Sequence, residues 1–174
     1  MVEIFETDRL RAHRVRHEDL DDLVRMHTDP TVMATLGGKV WSVDETRAFL
    51  DRLIDHWDSH GYGVWTVRDK DSNRFLGRAG LRRKTIDGFT ETELLYAYLP
   101  DVWDQGVATE VARAVVGLSF DRLKFPTLVA FTQPSNAASR RVMEKSGFTY
   151  ERDFIHAGML HVLYRQRRPD SAAD

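Results

Sequence analysis

Apolar residues along this chain change their period several times, and each change marks an element. In SVDETRAFLDRLIDHWDSH (residues 42–60), Phe49, Leu50, Leu53 and Trp57 fall on one face of a 3.6-residue turn with charged residues between them. Ser42 and Glu45 have the spacing of a capping box and Gly61 supplies a stop, which predicts a helix between them. HEDLDDLVRMH predicts a shorter helix, acidic at its start and broken by Asp29-Pro30. LRAHRV, YGVWTVRD, RFLGRAGLRRKTI and TETELLYAYLP read as strands. The last three are joined only by the turn formers KDSN and DGF, and such short connections imply an antiparallel meander. Val111, Ala114, Val115 and Leu118 recur at helical spacing and predict a helix over 106–124. TLVAFT is an apolar strand, and PSNAASRRVMEKSG a helix capped by Ser135 or Asn136 and stopped by Gly147. FTYERDFI and MLHVLYRQ predict two further strands, and residues 169–174 a disordered tail. There is no internal repeat.

One element lacks an expected part. The helix near Gly106 opens on Gly106, Val107 and Ala108, not on a Ser, Thr, Asp or Asn that would cap its amides. Two explanations stand side by side at this point. Asp104 is the cap and Gly106 a turn residue, or the bare amides and the helix dipole receive an anion such as phosphate. The chain has neither the Lys-Ser/Thr end of a P-loop nor a three-glycine dinucleotide fingerprint.

Composition narrows the chemistry. A chain of 174 residues with 42% hydrophobic residues suits one domain, here 1–168. A formal net charge of −2 argues against a nucleic-acid binder held by general electrostatic attraction. No cysteine is present, which removes disulfides, thiolate metal sites and a thiol nucleophile. The charged start MVEIFETDRLR and the absence of a long apolar run predict a cytoplasmic protein with no membrane partner. His56 and His60 have the i, i+4 spacing of a zinc pair, but no glutamate lies between them and they end an amphipathic helix, so no metal is expected. Trp41, Trp57, Tyr62 and Trp65 are read as core, with an acceptor pocket wall as the alternative.

The order of these elements, with TDRLRAHRV, DPTVM, FLGRAGL, ELLYAYLPDVWDQGVATEV and NAASRRVMEKSGF in register, resembles the GNAT family of acetyl-CoA-dependent N-acetyltransferases over nearly the whole chain. Within it, the spacing from Glu93 through Pro100, Trp103 and Gly106 to Glu110 looks most like the RimJ/RimL branch of ribosomal-protein N-terminal acetyltransferases. The resemblance implies an α/β (α+β) GNAT fold: a mixed, mostly antiparallel twisted sheet of six to seven strands with about four helices. It implies acetyl-CoA as cosubstrate, its pyrophosphate on the amides of Gln105, Gly106, Val107, Ala108 and Thr109 and its pantetheine arm against Tyr96, Ala97 and Tyr98. Asn136 would orient that arm or a water, with a plain N-cap as the alternative; Arg141 would contact phosphate or lie solvated. This chain departs from the wider family at Trp103, Asp104 and Leu95, where Arg or Gln, Gly and Gly are common.

An acetyl thioester is already activated, so catalysis reduces to orienting a neutral amine, stabilising the oxyanion and protonating the thiolate. Without cysteine, direct attack in a ternary complex is the simplest route. The resemblance places a general base at Glu93, although Glu91, two residues away, shares the strand face by alternation. Met143 stands where many GNAT enzymes carry an acid tyrosine, and Ser139 is the substitute the branch suggests. The partners expected are acetyl-CoA and an amine acceptor, with a protein N-terminus favoured, and the chain is expected as a monomer or homodimer. The competing functions are a silent acyl-CoA-binding or sensing module and an acetyltransferase for a small-molecule amine such as an antibiotic or polyamine.

Overall fold

Ser42 caps the longest helix as its spacing requires: its side chain accepts from the Glu45 amide while Glu45 reaches back to the Ser42 amide. The helix, α3 (Val43–His60), ends where Gly61 turns left-handed at φ +73°. The computed structural model describes residues 1–169, and the predicted tail lies outside them except for Pro169. Before α3 come β1 (Ile4–Glu6), β2 (Leu10–Arg14), α1 (Leu20–His27) and α2 (Pro30–Met33). After it come β3 (Val64–Asp69), β4 (Phe75–Ile86), β5 (Phe89–Tyr98), α4 (Val107–Asp121), β6 (Thr127–Thr132), α5 (Ala137–Lys145), β7 (Thr149–His156) and β8 (Met159–Arg167).

Hydrogen bonding orders the strands β1-β2-β3-β4-β5-β6-β8-β7. The sheet is mixed and mostly antiparallel as expected, with β5 and β6 the parallel neighbours, in register at Glu93 and Val129. The described residues hold eight strands and five α-helices, more than the six to seven and about four expected. β1 is the strand missed, and α2 the helix. Asp29-Pro30 ends α1 but also opens α2, because proline is pre-organised for a first helical position and Asp29 accepts from the amides of Thr31 and Val32.

The chain divides into two compact units. The first comprises Met1–Arg82 and Leu95–Val111. In it Leu23, Met26, Leu50, Trp57 and Trp65 are buried; the Trp57 indole donates to the Val64 carbonyl and meets Trp65 edge-on at 5.1 Å. At Gly77 a Cβ would sit 2.3 Å from the Ala97 carbonyl oxygen, so only glycine lets β4 pass this part of β5. Among the described residues, the second unit comprises Arg83–Leu94 and residues 112–169, around Ile86, Val129, Phe154 and Leu163. Its β4–β5 turn is Asp87-Gly88, both at positive φ as a two-residue hairpin turn demands. The buried residues of α4 are Val107, Val111, Ala112, Val115, Val116, Ser119 and Phe120. Ala114 and Leu118, expected on the buried face, are only half-buried.

Candidate active site

In the first unit the chain leaves β5 through a 3₁₀ turn at Pro100–Val102 and enters α4 through a loop. There Asp104 and Gly106 are both left-handed, at φ +58° and +78°. The Gly106 carbonyl accepts the first helical bond, from the Glu110 amide, which makes Gly106 the capping position. Glycine has no side chain to cap with. Asp104 is exposed and accepts from no amide, so the reading of it as the cap fails, and the amides of Val107, Ala108 and Thr109 meet no acceptor among the described residues. Gln105 is exposed, Val107 buried, and Ala108 and Thr109 half-buried.

The strand before the loop is ordered by its own aromatics. The Trp103 indole donates to the Tyr98 carbonyl at 2.9 Å, and the rings of Tyr96 and Tyr98 stack at 6.3 Å. Ala97 and Tyr98 are buried. Among the described residues the Tyr98 hydroxyl has no hydrogen-bond partner, and burial, with the charges of Tyr96 and Glu110, pushes its pKa well above the ordinary value.

Sequence reasoning missed what anchors this loop. The Glu110 carboxylate accepts from the Thr7 hydroxyl (2.5 Å), the Arg9 amide (3.2 Å) and Arg9 Nε (2.7 Å), and Arg9 Nη2 also donates to the Gln105 carbonyl (3.1 Å). Burial works to raise the Glu110 pKa, but these hydrogen bonds outweigh it and hold the carboxyl below its ordinary value. The only signal was TDR near the start and Glu110 beyond Gly106, and no periodicity links positions so far apart.

The second unit holds the remaining candidates. Glu93 is buried at 4% exposure, level with Val129. Glu91 is committed elsewhere: Arg165 donates to both of its oxygens, at 2.8 and 3.1 Å, and also binds Glu151. The hydrogen bonds that Arg165 donates to Glu91 and Glu151 raise its pKa. The Asn136 side chain caps α5 by accepting from the Ser139 amide at 3.1 Å, so the N-cap alternative for Asn136 is realised and its amide nitrogen remains for other partners. Ser139 is half-buried, Met143 buried, and Arg141 exposed. His56 and His60 stack at 4.4 Å, and their Nδ1 atoms meet the carbonyls of Tyr62 and His56. Among the described residues no group of three His, Cys, Asp or Glu is placed to hold a metal ion, and no helix is long and apolar enough to cross a membrane.

The family model for the acetyltransferase (GNAT) domain matches residues 9–149. The chain belongs to the GNAT acetyltransferases. It is similar to YkkB, an uncharacterized protein of Bacillus subtilis (strain 168), at 31% identity over 147 residues, 84% of this chain and 85% of that one. Among solved structures it resembles RimL, a ribosomal L7/L12 alpha-N-protein acetyltransferase in complex with coenzyme A, with a TM-score of 0.78 and 17% identity over 95% and 98% of the two chains. It also resembles the spermidine N-acetyltransferase of Vibrio cholerae in complex with CoA and spermine, with a TM-score of 0.75 and 16% identity over 93% and 97%. At these identities the two structures share its fold. As a GNAT acetyltransferase the chain is an enzyme, and the family takes its acetyl group from acetyl-CoA.

Proposed function

We propose that residues 1–168 work as one catalytic domain that transfers acetyl from acetyl-CoA to a primary amine by direct attack, within the RimJ/RimL-like branch. The observation that carries the cofactor half is the uncapped start of α4. Amides left without an acceptor, at the positive end of a helix dipole, suit the coenzyme pyrophosphate on Gln105–Thr109. Tyr96, Ala97 and Tyr98 then line the pantetheine arm, and Asn136 and Arg141 add polar contacts. Among the two acids of β5, Glu93 is the base. Glu91 is pinned by two guanidinium hydrogen bonds, and taking a proton would cost it that pair. Ser139 assists the departing thiolate.

The acceptor favoured is the α-amine of a protein N-terminus. With a pKa of about 7.8, roughly one α-amine in seven is neutral at pH 7, against about one in 2,500 for a lysine-like amine near 10.4. Burial of Met143, where an acid tyrosine is common, supports a second reading as a silent acyl-CoA-binding module. The test is coenzyme A release against peptides, polyamines, amino acids and aminoglycosides. Turnover with peptides bearing a free N-terminus is expected. A preference for a polyamine or aminoglycoside overturns the acceptor assignment, and binding of acetyl-CoA without turnover on any amine favours the module.

A further inference from the structure

A carboxylate in the first turn of α4 is awkward if that turn holds a diphosphate. Glu110 favours the helix through the dipole, yet a loose carboxylate there repels a second anion and competes for the same amides. Here it is not loose. The Thr7 hydroxyl, the Arg9 amide and Arg9 Nε all donate to it, and Arg9 Nη2 lies at 2.7 Å from its Oε2. The same Nη2 donates to the Gln105 carbonyl and lies 3.6 Å from where a Cβ on Gly106 would stand, so one guanidinium braces both the loop and the first turn. Thr7 is itself fixed: its hydroxyl accepts from the Leu10 amide and its carbonyl from Lys70. The Tyr98 hydroxyl on the strand before the loop is buried with no partner among the described residues, and burial first, then the charges of Tyr96 and Glu110, raise its pKa.

We propose that Thr7 and Arg9 are positioning residues for the coenzyme: they draw the Glu110 carboxylate away from the amides at 107–109, neutralise it, and hold the Gln105–Gly106 loop open to the pyrophosphate. The inference rests on the coenzyme reading above. It turns the helix start into a three-part device in which an acid stabilises the helix while its charge is cancelled by an arginine 101 positions earlier in the chain.

A double-mutant cycle tests it. Arg9→Gln leaves Glu110 charged, and should raise the KM for acetyl-CoA and the Kd for coenzyme A about 10-fold, with kcat and the acceptor KM within about twofold. Adding Glu110→Gln to that variant removes the repelling charge and should recover most of the loss, and added salt should shrink the Arg9→Gln penalty. Arg9→Lys, which keeps the charge but not the fork, should fall between, and Thr7→Val should cost less than Arg9→Gln. Thermal unfolding confirms that each variant is folded at the assay temperature. A double variant no better than Arg9→Gln, or a penalty indifferent to salt, would make the cluster merely structural and overturn the inference. Wild-type protein that fails to bind coenzyme A sinks the coenzyme reading itself. Wild type that binds it while the variants bind equally tightly overturns this inference alone.

Discussion

At the residue scale, the two acids of β5 differ in their surroundings. Glu91 and Glu93 are indistinguishable by alternation, but Arg165 takes both oxygens of Glu91, whereas Glu93 lies buried beside β6. If Glu93 accepts the amine proton, Glu93→Gln should lower kcat on the order of 10²-fold with coenzyme binding nearly intact, and Ser139→Ala should cost less. Raising the pH supplies neutral amine directly and should partly rescue the Glu93 variant, more for a lysine-like acceptor than for an α-amine. The pH–rate profiles of wild type and variant decide it. An unchanged profile would hand the proton to water or to another group.

At the scale of elements, the same arginine ties three strands. Arg165 on β8 binds Glu91 on β5, Glu151 on β7 and the Thr127 hydroxyl on β6. Both Arg165 and Glu91 are 15% exposed, so their pairing is only partly screened. Arg165→Gln leaves two carboxylates without their cation and should cost about 2–3 kcal/mol in urea unfolding. A second change, Glu91→Gln, should return part of that; a loss below about 0.5 kcal/mol would show a solvent-screened pair. Much at this scale was legible in advance. Ser42, Glu45 and Gly61 fixed the limits of α3, and TLVAFT is β6 residue for residue, because local chemistry decides both. β1 was not legible, since Ile4–Glu6 is too short to show a period and is held by pairing with β2. The bare start of α4 was visible in the sequence. Its anchor was not, because Thr7 and Arg9 meet Glu110 only after the chain has folded.

At the scale of the molecule, stability should depend on a buried histidine that the proposed chemistry does not use. His27 is fully buried, with its Nδ1 at 3.3 Å from the Thr46 hydroxyl and Nε2 unpartnered among the described residues, and it packs against Trp41 and Phe49. Burial, with the Arg78 charge nearby, lowers its pKa from 6.5 to about 3. Between those values the unfolded chain binds a proton that the folded chain refuses. The contribution is therefore whole above pH 6.5 and falls as pH drops toward 3, by at most about 1.4 kcal/mol per pH unit. His27→Gln should flatten the decline of Tm over this range. An equal slope in both proteins would assign acid sensitivity to the carboxylates.

The clasp between Thr7 and Glu110 also bears on how the protein comes into being, since its halves are 103 positions apart. The first unit takes its closing stretch, Leu95–Val111, from beyond a hairpin that belongs to the second. A ribosome must therefore deliver Glu110 before the Thr7 hydroxyl and the Arg9 guanidinium can close on it. The entropy of closing so long a loop grows only logarithmically with its length, so the burden falls on time more than on final stability. The proposed coenzyme platform is then settled late in the folding of its unit, and a protease nick between Arg9 and Gln105 removes the covalent tie between the two halves of its clasp.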